Sequence, residues 1–397
     1  MPTPSVSPVS PIRNGLIDLL RGWAVIAVVL LHIQIRVPFQ GSDLAGWLSK
    51  RAYNFLFWSG QQGVIVFFVI SGFLITTVSL QRWGSLDRIV PGDFYRFRVA
   101  RLAPCLLLFV ALHAALQWAG VAGFAPEPGS EGHLMLAVIS ALTFWLNWAE
   151  AMLGSYLPGG WDVLWSLSVE EAFYLGFPLL CLLLRKPGRI IAAMLLFVVL
   201  GPFSRTVLGN NEIWRDHAYL SGMGEIAMGC IAALLVHRSG YQGRRAGWLL
   251  TTGLALMAMV LYFRGWTFKL GLPALGLDMS VLGLGTALVL VACHSQPAWG
   301  RYADWLPGRV LQWFGRHSYE VYLSHMFVLL PLVALLPGNG LASVWIAPFY
   351  LLAVVLCGWV GHGLAQYFSM PLNKRLRQGG PGSRFKTTLA TKEVGNG

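Results

Sequence analysis

The sequence predicts an all-α fold, a polytopic transmembrane helical bundle of about ten full spans plus one re-entrant segment. Three observations carry that prediction. Of 397 residues, 56% are hydrophobic and only 12% charged, with a mean hydropathy of +0.60; soluble domains carry about 25% charged residues. Many apolar runs reach the ~20 residues that cross a bilayer. The Lys and Arg behind the net charge of +12 lie between those runs, which is the pattern of positive-inside topology. The basic balance therefore points to the lipid bilayer as partner and not to nucleic acid.

The elements follow in chain order. Residues 1–13 are rich in Pro and Ser and are expected to be disordered. The first span covers 15–37 and stops at Pro38. Arg21 interrupts its apolar run and no small-residue cleavage site follows, so it reads as a retained span and not a removed signal. Residues 38–60 form an aromatic, polar loop suited to an interface. The second span, 62–80, leads into a basic segment with Arg82, Arg88, Arg96, Arg98 and Arg101 against Asp87 and Asp93. The charge rule makes that segment cytoplasmic. A third span follows over 102–120, then a loop over 122–133.

The run 134–150 allows two topologies. If it crosses fully, Arg185, Lys186, Arg189, His237, Arg238, Arg244 and Arg245 fall outside. If it is re-entrant or interfacial they fall inside, and the second reading is favoured. Gly159-Gly160 opens an amphipathic stretch into the span ending near Leu184. Later spans run over 190–208, 218–237, 247–264, 273–293, 311–336 and 343–366. This makes residues 14–372 an integral membrane domain with no fused soluble domain. Residues 373–397 are then a basic, disordered tail, and both termini are cytoplasmic. The five cysteines lie singly in or beside apolar runs with no metal spacing, so they read as small core residues and no metal is expected.

Four constellations could carry chemistry. Arg21 and His32 are eleven residues apart, about three turns and some 16 Å along one helix face, with Asp18 in pairing reach of Arg21. Charged groups inside a span are costly unless they face protein or a cavity. His32 is suited to general-base work or to holding an acyl group briefly; the alternative is a polar pair that locks helix packing. Arg98 and Arg101 share one side of a helix, with Pro104 soon after. Their planar donor forks suit the phosphates of a coenzyme, or else they anchor topology at lipid phosphate.

The third constellation is Trp165-Ser-Leu-Ser-Val-Glu170-Glu171-Ala-Phe-Tyr174-Leu. Adjacent carboxylates point about 100° apart on a helix, so one could orient His32 while the other binds an Arg or caps a helix. Ser168 with Glu171 could instead form a capping box, or both acids could face water. The fourth, Gly315-Arg-His317-Ser318-Tyr319-Glu320-Val-Tyr322-Leu-Ser324-His325, places Ser318, Tyr322 and His325 on one face. Tyr322 and His325, with Trp165, are the candidates for substrate contact; a polar ladder between spans is the structural alternative. Ser71-Gly72 lacks the Gly-x-Ser-x-Gly pattern of a nucleophile elbow and reads as close packing. Glu225 is intramembrane, with its partner unidentified.

At these places the chain resembles the acyltransferase family 3 integral membrane proteins. The pieces are Asp18-Leu-Leu-Arg21 with His32, the run from Gly63 through Ser71, Phe94-Tyr-Arg-Phe-Arg98-Val-Ala-Arg101-Leu-Ala-Pro104, the segment beginning Trp165, and Ser318-Tyr319-Glu-Val-Tyr322-Leu-Ser-His325. The resemblance covers roughly 14–372. It implies transfer of an acyl group, often acetyl, from a cytoplasmic donor such as acetyl-CoA to a carbohydrate hydroxyl on polysaccharide, O-antigen, peptidoglycan or lipo-oligosaccharide. It also implies that Arg21, His32, Arg98 and Arg101 are functional, and that the protein lies in a bacterial cytoplasmic membrane. Acyl-CoA is then a co-substrate and no cofactor is tightly bound. The family's closing Glu-Lys-Pro reads Ser369-Met370-Pro371 here. The expectation is a membrane O-acyltransferase in which Arg98, Arg101 and Arg21 hold the donor, and His32 acts with Glu170 or Glu171. A transporter or flippase of a lipid-linked saccharide is the rival reading.

Overall fold

Backbone in hydrocarbon must satisfy its own N–H and C=O groups, and the long apolar runs do so as helices. The computed structural model describes residues 14–126, 132–208, 211–239, 243, 245–338 and 340–378. The expectations for 1–13 and for the tail beyond 378 lie outside those residues. Among the described residues there is no strand. The apolar helices are α1 Gly15–Arg36, α2 Gly60–Trp83, α3 Pro91–Trp118, α4 Trp165–Leu184, α5 Pro187–Phe203, α6 Tyr219–Ser239, α7 Ala246–Leu261, α8 Asp278–Ser295, α9 Ser318–Ala334 and α10 Ser343–Leu364. With the turns that abut them, eight are long and apolar enough to cross a membrane; α7 and α9 are shorter apolar helices.

The segment 134–150 resolves into two short helices, Leu134–Leu142 and Leu146–Leu153, parted by a turn in which Phe144 has φ 60°. A nine-residue helix is about 14 Å long, under half of a ~30 Å hydrocarbon core, so neither helix crosses. The single span read over 311–336 is corrected. The chain breaks at His317 into a helix Leu306–Arg316 and α9. The first piece carries Arg309, Gln312 and Arg316 and lies along α1. A Cβ on Gly22 would overlap the Leu311 carbonyl, and one on Gly315 the Asp18 carbonyl, so the two backbones touch. That contact sets Ser318, the first residue of α9, beside Arg21.

Two further boundaries move. Helix α3 starts at Pro91, in the first turn where a proline costs no hydrogen bond, and runs on through Pro104. Arg98 and Arg101 therefore stand inside it. At the other end, residues 373–378 are not loose tail: Met370–Gln378 is a helix, continuous with α10 through the turn Ala365–Ser369, and packs on α3. All five cysteines are buried and free. Glu225 finds its partner in Arg205, 3.1 Å away and also buried, a pair that ties α6 to the end of α5.

Candidate functional site: two chambers that meet at Tyr322

Helices α1, α2, α3, α4 and α9 enclose two cavities. The first, about 260 Å³, is lined by Arg21, Arg82, Arg98, Arg101 and Arg377, with Ser71, Glu170, Tyr174 and Ser318. The second, about 350 Å³, is lined by His32, Arg36, Gln61, Tyr156, Asp162, Trp165 and His217. Val64 and Tyr322 line both, so the chambers are neighbours with Tyr322 in the wall between them. The Val163 carbonyl can only accept, so the Tyr322 hydroxyl donates to it at 2.8 Å, and Ser166 donates to Tyr322 at 2.7 Å.

The arginine chamber is built on a carboxylate clamp. Arg98 donates Nε to Glu171 Oε1 at 2.9 Å and its terminal nitrogen to Glu171 and Glu170 at 2.5 and 3.1 Å. Its guanidinium lies 3.7 Å from the centre of the Tyr174 ring. Ser71 closes the network by short hydrogen bonds with Glu170 and Tyr174. The buried Glu171 and the half-buried Glu170 and Arg98 thus satisfy one another, as removal of charge from water requires. Arg21 donates to Ser318 Oγ at 2.9 Å. Arg101 is exposed at the wall.

The histidine chamber is organised by a turn. Gly159 and Gly160 have φ of 67° and 84°, a backbone region that side chains disfavour. A Cβ on Gly159 would press on the Phe124 backbone and one on Gly160 on Met326. The turn buries Trp161 completely and brings Asp162 to the cavity. His32 Nδ1 lies 2.9 Å from the Val28 carbonyl. That oxygen can only accept, so Nδ1 donates to it, and in the neutral ring Nε2 is the nitrogen left to accept. Asp162 Oδ2 is 3.8 Å from Nε2. His217 stacks flat on Trp165, centroids 4.0 Å apart and 3° between planes. Beside them Glu150 is fully buried and accepts from the Leu157 amide at 3.0 Å. Burial first, and then the Asp162 charge, push its carboxyl well above the usual carboxylate range.

The structure therefore divides the expected residues between the two ends. Arg21, Arg98, Arg101, Glu170 and Glu171 gather at the first chamber, and His32, Trp165 and Tyr322 at the second. Glu170 and Glu171 hold Arg98 and do not meet His32; the carboxylate at His32 is Asp162. His325 is fully buried and lines neither chamber. Its ring centre is 4.9 Å from that of His32, and its Nδ1 donates to the Tyr322 carbonyl at 2.6 Å. Asp162, His217, Arg82 and Arg377 were not singled out from sequence. A lone acid between two tryptophans in Trp161-Asp-Val-Leu-Trp165 was the available signal for the first. Ser369, where the resemblance places a Glu, donates to Glu320 at 2.7 Å, so a carboxylate stands at that spot from another helix.

Comparison with known proteins adds a family. The model of acyltransferase family 3, described as an acyltransferase domain, matches residues 14–362. YrhL of Bacillus subtilis strain 168 is 27% identical over 78% of the chain and 47% of its own length. The O-acetyltransferase OatA of Staphylococcus aureus strain NCTC 8325 is 22% identical over 90% of the chain and 57% of its own. The peptidoglycan O-acetyltransferase OatA of Listeria monocytogenes EGD-e is 24% identical over 78% and 48%. The chain spans about half the length of these relatives. No solved structure matches.

Proposed function

We propose, since this chain belongs to acyltransferase family 3 of membrane proteins, that it is an O-acetyltransferase moving acetyl from acetyl-CoA to a hydroxyl of a cell-surface glycan. The relatives named as O-acetyltransferases, one of them for peptidoglycan, support the reaction type. Ten crossings would put both ends on one side, and the excess of Lys and Arg makes that side the cytoplasm. The donor then enters by the arginine chamber and the acceptor by the histidine chamber. Tyr156, Trp165, Gln61, Asp162 and Arg36 offer the mixture of aromatic faces and hydrogen-bonding groups that sugars bind.

The observation that carries the reading is His32, whose Nδ1 faces the Val28 carbonyl while its Nε2 lies 3.8 Å from Asp162 Oδ2 at the wall of the histidine chamber. The acceptor hydroxyl attacks the thioester carbonyl while Nε2 takes its proton. Asp162 stabilises the imidazolium that forms. Collapse of the tetrahedral intermediate breaks the C–S bond, and His32 returns the proton to the leaving thiolate. The products are the O-acetyl ester and free CoA. Arg21 and His32 sit about 16 Å apart along α1, a span that a pantetheine arm bridges once the Tyr322 side chain gives way to it.

The test is purified protein with labelled acetyl-CoA and a glycan extract. Wild type should place label on glycan, and His32→Ala, still inserted and folded, should lose at least about a hundredfold in rate, as removal of a general base does. Movement of a lipid-linked saccharide without consumption of acetyl-CoA would replace this reading with transport.

A further inference from the structure

Two of the five arginines that line the arginine chamber have partners. Arg98 is held by Glu170 and Glu171, and Arg21 donates to Ser318. Three remain. Arg82 comes from the last turn of α2, Arg101 from α3, and Arg377 from the helix Met370–Gln378. All three line the chamber, and among the described residues none has a carboxylate within ion-pair distance. They are close enough to repel, because Arg377 feels the positive charge of both Arg101 and Arg82. Two of them share one ring: the Arg82 guanidinium is 3.8 Å from the Phe97 centroid and that of Arg377 5.5 Å.

Cation–π contact accounts for the posture of Arg82 and Arg377, and the Asp93 carboxylate, itself held by Arg96 at 3.2 Å, acts on Arg82 only from beyond ion-pair distance. Like charges gathered at a cavity wall cost energy until an anion enters. A guanidinium fork answers phosphate geometry better than a lysine would. Arg377 also lies past residue 362, where the family match ends, on a helix that packs directly against α3.

We propose that Arg82, Arg101 and Arg377 form a three-point site for a polyphosphate, completed by the C-terminal helix, which holds the phosphate end of a nucleotide-bearing thioester. The proposal rests on the donor reading above for the nucleotide and on geometry alone for the phosphate. It assigns Arg98 a different task, that of fixing Glu170 and Glu171. An anionic lipid headgroup has the same chemistry, so the experiment separates the two sources.

The full-length protein is placed in nanodiscs of phosphatidylcholine or of phosphatidylglycerol, and CoA binding is measured at several salt concentrations. Arg82→Gln and Arg377→Gln sit at the chamber wall, away from the core, and leave the fold intact. In phosphatidylcholine each should weaken CoA about tenfold, and the pair about a hundredfold, with a shallower salt dependence. The KM for acetyl-CoA should rise to match while kcat stays put. Arg238→Gln, a basic residue elsewhere, should change nothing. CoA affinity equal to wild type in both variants overturns the site. So does a loss confined to melting temperature in phosphatidylglycerol, which would make the cluster a lipid anchor. If wild type binds CoA or inorganic pyrophosphate through Arg82 and Arg377 yet transfers no acetyl, the enzyme reading falls and the phosphate site stands.

Discussion

His32 is poised by its other nitrogen: because Nδ1–H is spent on the Val28 carbonyl, Nε2 is the atom that can accept a proton, and Asp162 at 3.8 Å is the charge that rewards it for doing so. A charge pair near 4 Å is worth about 1 to 4 kcal/mol between water-like and protein-surface dielectric. Asp162→Asn should therefore cut kcat about tenfold to a thousandfold with the KM for the donor unchanged; an unaltered kcat would place the proton elsewhere. Glu150, in the short helix Leu146–Leu153, gives a pH prediction. Its carboxyl holds a proton more tightly in the fold than in the unfolded chain, chiefly through burial. As pH rises past about 4.5, its ordinary value, the unfolded chain releases that proton and the folded one keeps it. Stability falls by up to about 1.4 kcal/mol per pH unit until the raised value is reached. Glu150→Gln retains an oxygen for the Leu157 amide and removes this slope. Its melting temperature at neutral pH should equal or exceed wild type, and the gap should close at pH 4.

Elements place these residues, and their legibility in the sequence followed from how local their causes are. Apolar runs and flanking basic residues are local, and they yielded the helices. The break at His317 was not read as one, although Arg316, His317, Ser318 and Glu320 mark the place, because the helix before it is held by its contact with α1 and not by a local turn signal. Pairings such as Arg98 with Glu171, or His32 with Asp162, join residues 73 and 130 positions apart, and no spacing rule reaches that far. Arg21 and His32 were legible as a pair because one helix carries both; an Arg partner for one of the two carboxylates was among the readings, while their expected contact with His32 was not met. The α1 contact itself can be tested. Gly22→Val puts a branched side chain into the Leu311 carbonyl, an overpacking worth about 1–3 kcal/mol or more. It should lower the melting temperature, and it should lower transfer by separating Arg21 from Ser318. Gly176 of α4 has open space around it, so Gly176→Ala should be neutral or stabilising by up to about 1 kcal/mol through helix propensity alone.

At the scale of the molecule, two polar cavities inside one membrane domain pose a sealing problem. If the arginine and histidine chambers were joined and open at both ends, the protein would be a pore. Tyr322 stands where they meet, latched to the Val163 carbonyl and to Ser166, and with Val64 it lines both. The seal can be measured without any substrate. Gln61 lines the histidine chamber. A Gln61→Cys variant in sealed vesicles, exposed on the arginine side to a small anionic methanethiosulfonate, should react slowly, even though the basic chamber attracts the reagent. Adding Tyr322→Ala removes the ring and should raise the labelling rate by at least an order of magnitude, read against a parent with only the five buried native cysteines. Tyr322→Phe keeps the bulk but loses both hydrogen bonds, so it should fall between the two. Equal labelling in all three backgrounds would mean that the chambers are divided by something other than this side chain.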